Sequence, residues 1–145
     1  MYRAIVAART RAIWKRINAR DIDAPVGMAA EEMRFTFVGD TPLGASFTGR
    51  EKFRAWFEAM FERFPGIAFE VRDVAVAGWP WHTRVALRLG ISMTLADGTD
   101  YENEAVQWIT LRWGKMLDDW VIEDTLALAD ACRRQEIARA TATRS

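Results

Sequence analysis

The pattern of apolar and polar positions divides the chain into helices first and strands afterwards. Residues 2–20 carry Ile5, Ala8, Ala12, Ile13 and Ile17 near one face with Arg on the other, which predicts a helix. A short helical segment is expected over residues 22–33, with Pro25 in its first turn, Asp21 or Asp23 as N-cap and Gly27 weakening it. Residues 34–38 alternate around Phe35 and Phe37 and read as a strand, and residues 39–48, punctuated by Gly39, Asp40, Pro42 and Gly44, read as a loop. Thr48 and Glu51 then form a Thr-x-x-Glu capping-box pattern. The helix behind it is the clearest element in the chain: Phe53, Trp56, Phe57, Met60, Phe61 and Phe64 fall at helical spacing in one apolar stripe. Pro65-Gly66 closes it.

After Gly66 the period changes from helical to two. Residues 69–77 alternate, with a slip near Asp73-Val74 that suggests a bulge. The segment Gly78-Trp79-Pro80-Trp81-His82 reads as a turn. Val85, Leu87, Leu89, Ile91, Met93 and Leu95 alternate strictly, and Asp97-Gly98 is a hairpin signal. Residues 101–112 form the next strand, Trp113-Gly114 turns it, and residues 116–124 return. Residues 126–140 can form a last helix. Helices followed by a run of hairpins predict an α+β fold with an antiparallel meander rather than βαβ units. The stripe of Phe53 to Phe64 is the only element apolar enough to cover it.

Length and charge narrow the picture. The 145 residues fit one domain. Residues 1–20 hold six basic groups and no acid, and residues 133–145 hold four Arg against Glu136. The middle, 21–132, carries ten basic groups against nineteen acids, which argues against a nucleic-acid surface there. The basic ends could touch an anionic partner or a membrane surface. Two exposed helices with solvated Arg is the simpler reading, so neither a nucleic-acid nor a membrane partner is expected. One Cys allows no intrachain disulfide, no apolar run reaches the roughly 20 residues of a membrane helix, and the acid-free, Ser-free N-terminus lacks the apolar core of a secretory signal. A cytoplasmic protein is expected.

An ordered set of fragments resembles the nuclear transport factor 2-like superfamily, in its SnoaL-like and ketosteroid-isomerase-like branch. The fragments are Phe-Thr-Gly-Arg-Glu (47–51), Phe-Pro-Gly-Ile-Ala-Phe-Glu-Val (64–71), Ala-Asp-Gly-Thr (96–99), Tyr-Glu-Asn-Glu-Ala-Val-Gln-Trp (101–108), Gly-Lys-Met (114–116) and Glu-Asp-Thr (123–125). The match spans roughly residues 5–128, with 129–145 as a helical tail. The resemblance implies a cone-shaped, curved, mainly antiparallel (mixed) sheet wrapped around N-terminal helices, a cystatin-like roll. It also implies a pocket for a small apolar molecule and a homodimer through the outer sheet face. The fold hosts isomerases, cyclases, hydrolases, dehydratases and proteins without chemistry, so it does not by itself assign a reaction.

The candidate chemistry follows from that resemblance. Asp40 lies nine residues before Gly49, where ketosteroid-isomerase-like members carry their base. A carboxylate in an apolar pocket has a raised pKa and can shuttle protons next to a carbonyl. The competing reading is a loop Asp that caps the Thr41-Pro42 turn. Asp124 lies ten residues after Gly114, where SnoaL-like cyclases place an acid/base Asp, and it is equally an N-cap for a helix from Thr125. Gln107 falls where the isomerases place an oxyanion-binding acid, and an amide can donate there. It also reads as a group that orients a ligand without turning it over.

With Gln107 inward, Asn103 and Ala105 point inward and Glu104 and Trp108 outward. Trp56, Met60 and Trp120 complete the expected pocket wall. The isomerases' first-helix Tyr has no counterpart in Lys15-Arg16-Ile17, nor has the cyclase His if Gln107 is its counterpart. His82 and Cys132 are isolated, no Gly-rich phosphate loop is present, and neither a metal nor a cofactor is expected. The expected function is binding, with isomerisation or cyclisation by cofactor-free acid/base chemistry, of a small carbonyl-bearing molecule. The alternative is a non-catalytic ligand-binding or dimerisation module.

Overall fold

A computed structural model describes residues 1–144. Helix α1 (Tyr2–Asn18) and the short α2 (Asp23–Met28) lead into β1 (Ala29–Phe37), β2 (Ala45–Thr48) and α3 (Arg50–Arg63). Four long strands follow: β3 (Ala68–Trp79), β4 (His82–Thr94), β5 (Asp100–Arg112) and β6 (Lys115–Glu123), and α4 (Thr125–Arg144) ends the described chain. The six strands form one sheet in the order β2-β1-β6-β5-β4-β3. All neighbours are antiparallel except β1 and β6, which run parallel. The fold is thus α+β with a mixed curved sheet and a C-terminal helix, as the sequence implied.

Several boundaries differ from the sequence reading, each for a physical reason. The second helix stops at Met28, because Ala29 turns extended (ψ 140°) and residues 29–33 join β1. There Ala29 pairs with Met116 of β6 ahead of a bulge, and Met33 is buried with its carbonyl accepting from Gly49 N. The expected loop 39–48 contains β2, which pairs with β1 from Arg34↔Thr48 to Phe37↔Ala45. Thr48 is therefore a strand residue and caps nothing. Gly49 occupies the N-cap of α3 at φ 122°, a conformation side-chain-bearing residues avoid, and no side chain caps that end. Helix α1 buries Val6, Thr10 and Ile17 with Tyr2 and Trp14 alongside, while Ile5 is exposed. The face is set by β3, against which α1 packs, and Thr10 tolerates burial because its hydroxyl donates to Val6 O at 2.8 Å.

Strand β3 slips register between Val71 and Asp73, the bulge its pattern suggested. The β5–β6 turn places both Trp113 (φ 50°) and Gly114 (φ 77°) in the left-handed region, as a two-residue type I′ hairpin requires. Helices α1 and α3 cover the concave face. Phe53, Phe57, Met60 and Phe64 of the predicted stripe are buried, and Phe35 sits 4.7–5.3 Å (ring centroids) from Phe47, Phe53 and Trp56. Asn18 fastens α1 to the edge strand: its amide both donates to Phe69 O and accepts from Phe69 N. Helix α4 is part of the same core through Leu128, Ala131 and Cys132. Gln135 stitches it down, accepting from Ala96 N at 2.7 Å and donating to Arg63 O at 2.9 Å. Among the described residues, no helix is long and apolar enough to cross a membrane.

Candidate functional site

Strand alternation sends one set of β5 and β6 side chains into the concave face: Tyr101, Asn103, Ala105 and Gln107 on β5, and Asp119, Val121 and Glu123 on β6. The pairing Gln107↔Val121 and Ile109↔Asp119 makes Gln107 and Asp119 diagonal neighbours. Gln107 Nε2 donates to Asp119 Oδ1 at 2.9 Å, and both residues are almost wholly buried (6% and 3% exposed). Gln107 Oε1 is buried with no partner. A buried amide oxygen left unpaired costs about 1–3 kcal/mol, so this atom is a standing acceptor for whatever enters.

The second polar group lies one pleat further along. Glu123 (8% exposed) is approached by Asn103 Nδ2 at 3.3 Å, and the same nitrogen donates to Tyr101 Oη at 2.6 Å and to Asp124 O at 3.0 Å. Asp119 and Glu123 are four residues apart on one strand, which separates their Cα atoms by about 13 Å with Val121 between them. The site therefore has two acidic poles and an apolar middle. The rest of its wall is Trp14, Phe37, Trp56, Met60 and Leu89 with their neighbours.

That wall controls the carboxyls. Burial pushes Asp119 up to about 7, against the pull of the Gln107 hydrogen bond, with a smaller push from Asp118. Burial first and the Asp124 charge second push Glu123 up to about 8. The Tyr101 hydroxyl is pushed up by burial and by the Glu123 charge. Near neutral pH the site thus holds carboxyl groups that can be neutral or ionised, which is the condition for proton transfer.

The enclosed void is only about 40 Å³, room for little more than water. An outer cleft of about 470 Å³ adjoins it, bordered by Pro42, Arg63, Gln135 and Arg139. Leu43 and Trp56 line both spaces, and Trp56 Nε1 donates to Leu43 O at 2.9 Å. Leu43 and Trp56, joined by this bond, thus lie between the cleft and the acidic chamber.

A family model described as "SnoaL-like domain" matches residues 10–118. The chain belongs to the SnoaL-like family. Solved structures show the same fold at low sequence identity. TerC, crystallised with polyporic acid, superposes with a TM-score of 0.74 at 18% identity, over 88% of this chain and 97% of that one. A nuclear transport factor 2-like protein of unknown function from Burkholderia pseudomallei gives 0.76 at 14%, over 87% and 95%. IdmH from Streptomyces antibioticus, a suspected polyketide cyclase, gives 0.71 at 17%, over 86% and 96%. No curated protein matches the sequence.

Within this SnoaL-like fold, the residues expected from sequence separate into two groups. Gln107, Trp56 and Met60 line the cavity, and Asn103 stands at its Glu123 end. Asp40, Asp124 and Trp120 do not line it. Asp40 is exposed in the loop after β1. Asp124 is exposed, and its Oδ1 accepts from Leu126 N and Ala127 N at 3.1 and 3.2 Å, the N-cap arrangement for α4. Trp120 lies on the outer face opposite Trp108. Asp119, Glu123 and Tyr101 are the site groups that sequence reasoning passed over. The period-two spacing of Asp119, Val121 and Glu123 was the available signal. It lost to the stronger apolar character of Leu117, Trp120 and Ile122, which face outward. Among the described residues, no group of three or more His, Cys, Asp or Glu could hold a metal. The buried Cys132 thiol is pushed up to about 11, mainly by burial, and so is a poor nucleophile.

Proposed function

We propose that this SnoaL-like protein binds a small, largely apolar, carbonyl-bearing molecule in the Asp119–Glu123 chamber and moves a proton on it without a cofactor. The observation that carries the proposal is the buried Asp119 carboxyl, held near 7 and hydrogen-bonded to an amide whose oxygen has no partner. Ionised Asp119 accepts the Nε2–H of Gln107 and can take a proton from a carbon next to the ligand carbonyl. The electron pair left on that carbon moves onto the carbonyl oxygen. Once protonated, Asp119 becomes an O–H donor, and rotation of the Gln107 amide presents Oε1 to it and Nε2–H to the new oxyanion. In an unsaturated ketone the proton then returns from Asp119 to the far carbon of the dienolate, giving an isomer; in a diketone the carbanion attacks the second carbonyl, giving a ring, and the new alkoxide takes the proton back from Asp119. Glu123, with Tyr101 and Asn103, is suited to a second oxygen at the other pole of the chamber. The ligand class is therefore a flat apolar body with an oxygen function at each end. Polyporic acid, with which TerC was crystallised, is a first probe.

The test is exchange of solvent deuterium into an enolisable aryl ketone followed by NMR. Wild-type protein should accelerate it, and Asp119→Asn should lose about a hundredfold. Equal rates in the two proteins would overturn the catalytic reading. The small closed void favours a second reading, a ligand-binding module without turnover. Tight binding of polyporic acid with no exchange in wild type would select it.

We further propose that a second copy of the chain covers the outer sheet face. Val106 pairs with Ile122 and Trp108 with Trp120 across β5 and β6, and all four side chains are exposed. A contiguous apolar strip of this kind marks an interface in a single chain.

A further inference from the structure

Three tryptophans at one end of the molecule belong neither to the chamber nor to the β5–β6 strip. Trp79 ends β3, Trp81 is in the β3–β4 turn and Trp113 is in the β5–β6 turn. They are 56%, 55% and 66% exposed, yet they lie together: Trp79 stacks on Trp81 at 6.1 Å and Trp81 meets Trp113 at 6.3 Å between ring centroids. The start of α1 is fixed beside them, with Tyr2 Oη bonded to Thr83 Oγ1, the Arg3 guanidinium 5.6 Å from the Trp79 ring and Arg9 donating to Gly114 O. Met1 and Ile5 on the same turn of α1 are also exposed.

The segments that carry the tryptophans and α1, 1–20, 74–96 and 105–117, contain no Asp or Glu; β1, which runs beside Met116, brings Glu31 and Glu32, and Glu31 is paired with Arg50. Arg3, Arg9, Arg84, Arg112 and Lys115 are exposed, and among the described residues none of them forms an ion pair, whereas Arg54, Arg63 and Arg72 elsewhere do. The nearest acids along the chain are Asp21, Asp73, Asp97, Glu104 and Asp118.

From this combination we propose that the hairpin end bearing Trp79, Trp81 and Trp113 docks the protein on an anionic lipid surface. The sequence alone favoured no membrane partner, because two exposed helices with solvated Arg is the simpler reading of the basic ends. The fold changes that by bringing an aromatic cluster from two distant hairpins beside the helix. Indole rings partition to the boundary between headgroups and acyl chains, and unpaired Arg and Lys are drawn to anionic headgroups. Exposed rings at hairpin tips can enter that boundary without disturbing the sheet behind them. An acidic protein would match the charge but would not call for three side-by-side indoles at turns.

The experiment is co-sedimentation of the full chain with vesicles of phosphatidylcholine alone and of phosphatidylcholine mixed with phosphatidylglycerol, at low and high salt. The expected result is binding to the mixed vesicles only, weakened by salt. Trp81→Ala with Trp113→Asn should abolish it; Asn suits the left-handed backbone at position 113. Arg3→Gln should weaken it about fivefold. Circular dichroism shows whether each variant is folded, and the single variant Trp81→Ala provides a second reading if the pair is not. No binding to mixed vesicles overturns the proposal. So does binding that survives loss of the tryptophans, which would indicate charge alone and an acidic macromolecule, and so does burial of these tryptophans in a self-associated species.

Discussion

Gln107 Nε2 and Asp119 Oδ1 lie 2.9 Å apart on neighbouring strands, and the other oxygen of the same amide meets nothing. An amide has a donor end and an acceptor end, while a carboxyl changes from acceptor to donor when it is protonated. The pair can therefore follow the protonation state of Asp119 by turning the amide, and the unpaired end is offered to the cavity in either state. Gln107→Leu removes both ends. It should lower kcat for deuterium exchange about tenfold to a hundredfold. It should also move the apparent pKa of the profile upward, because the hydrogen bond that favours ionised Asp119 is lost. An unchanged profile would mean that the amide has no part in proton transfer.

The raised carboxyls make stability depend on pH in a defined direction. Asp119 and Glu123 have folded values of about 7 and about 8, above their ordinary 3.8 and 4.5, so the folded state holds more protons between those limits. Stability is then greatest below the ordinary values and falls as pH rises through 7 to 8. Urea midpoints measured from pH 4 to pH 9 should decrease, and Asp119→Asn should flatten the decline by a few kcal/mol.

Trp56 is expected to act as the door. Trp56→Phe keeps a ring in place but removes the bond to Leu43 O. It should cost about 1 kcal/mol of stability and raise the association rate of polyporic acid about fivefold. Stopped-flow quenching of intrinsic fluorescence measures the rate. An unaltered rate would place the entrance elsewhere.

Asp124 and Asp40 provide the contrasting case. Asp124→Ala should destabilise the protein by about 1 kcal/mol through the lost cap of α4, while Asp124→Asn keeps the cap. Both variants remove the Asp124 charge and so let Glu123 fall, but neither they nor Asp40→Asn should shift the Asp119 limb of the exchange profile. A shift of that limb in Asp124→Asn would return the residue to the proton path.

The outer strip makes a prediction about assembly. Trp108→Glu places a charge in the middle of the proposed interface and should convert a dimer to a monomer in sedimentation velocity, with little change in the chamber behind the strand. A monomeric wild type would remove the proposal.

The long helix was legible because its six apolar residues repeat at the helical period, and the strands because β4 alternates without a break. Residues 29–33 and 45–48 were not legible as strands. Ala29 pairs with Met116 of β6 ahead of a bulge, and residues 45–48 pair with 34–37, an irregular and partly parallel edge that no local pattern encodes. The chamber was half legible. Gln107 and Asn103 followed from alternation once one of them was placed inward, and Trp56 and Met60 followed from the helix stripe.

Asp119 and Glu123 were hidden by the same alternation. A period of two separates the faces of a strand but does not say which face is inside. On β6 the outward set, Leu117, Trp120 and Ile122, is more apolar than the inward set of Asp119, Val121 and Glu123, so the rule that apolar residues face inward selects the wrong side. The sequence by itself determined the order of helices and hairpins, the apolar stripe of α3 and the membership of the family. The tertiary structure decided the phase of β6, because only the position of α1 and α3 defines which face of the sheet is covered. It also decided that Asp124 caps a helix while Asp119 enters the cavity, since Asp124 lies past the end of β6 with its carboxylate on the first amides of α4.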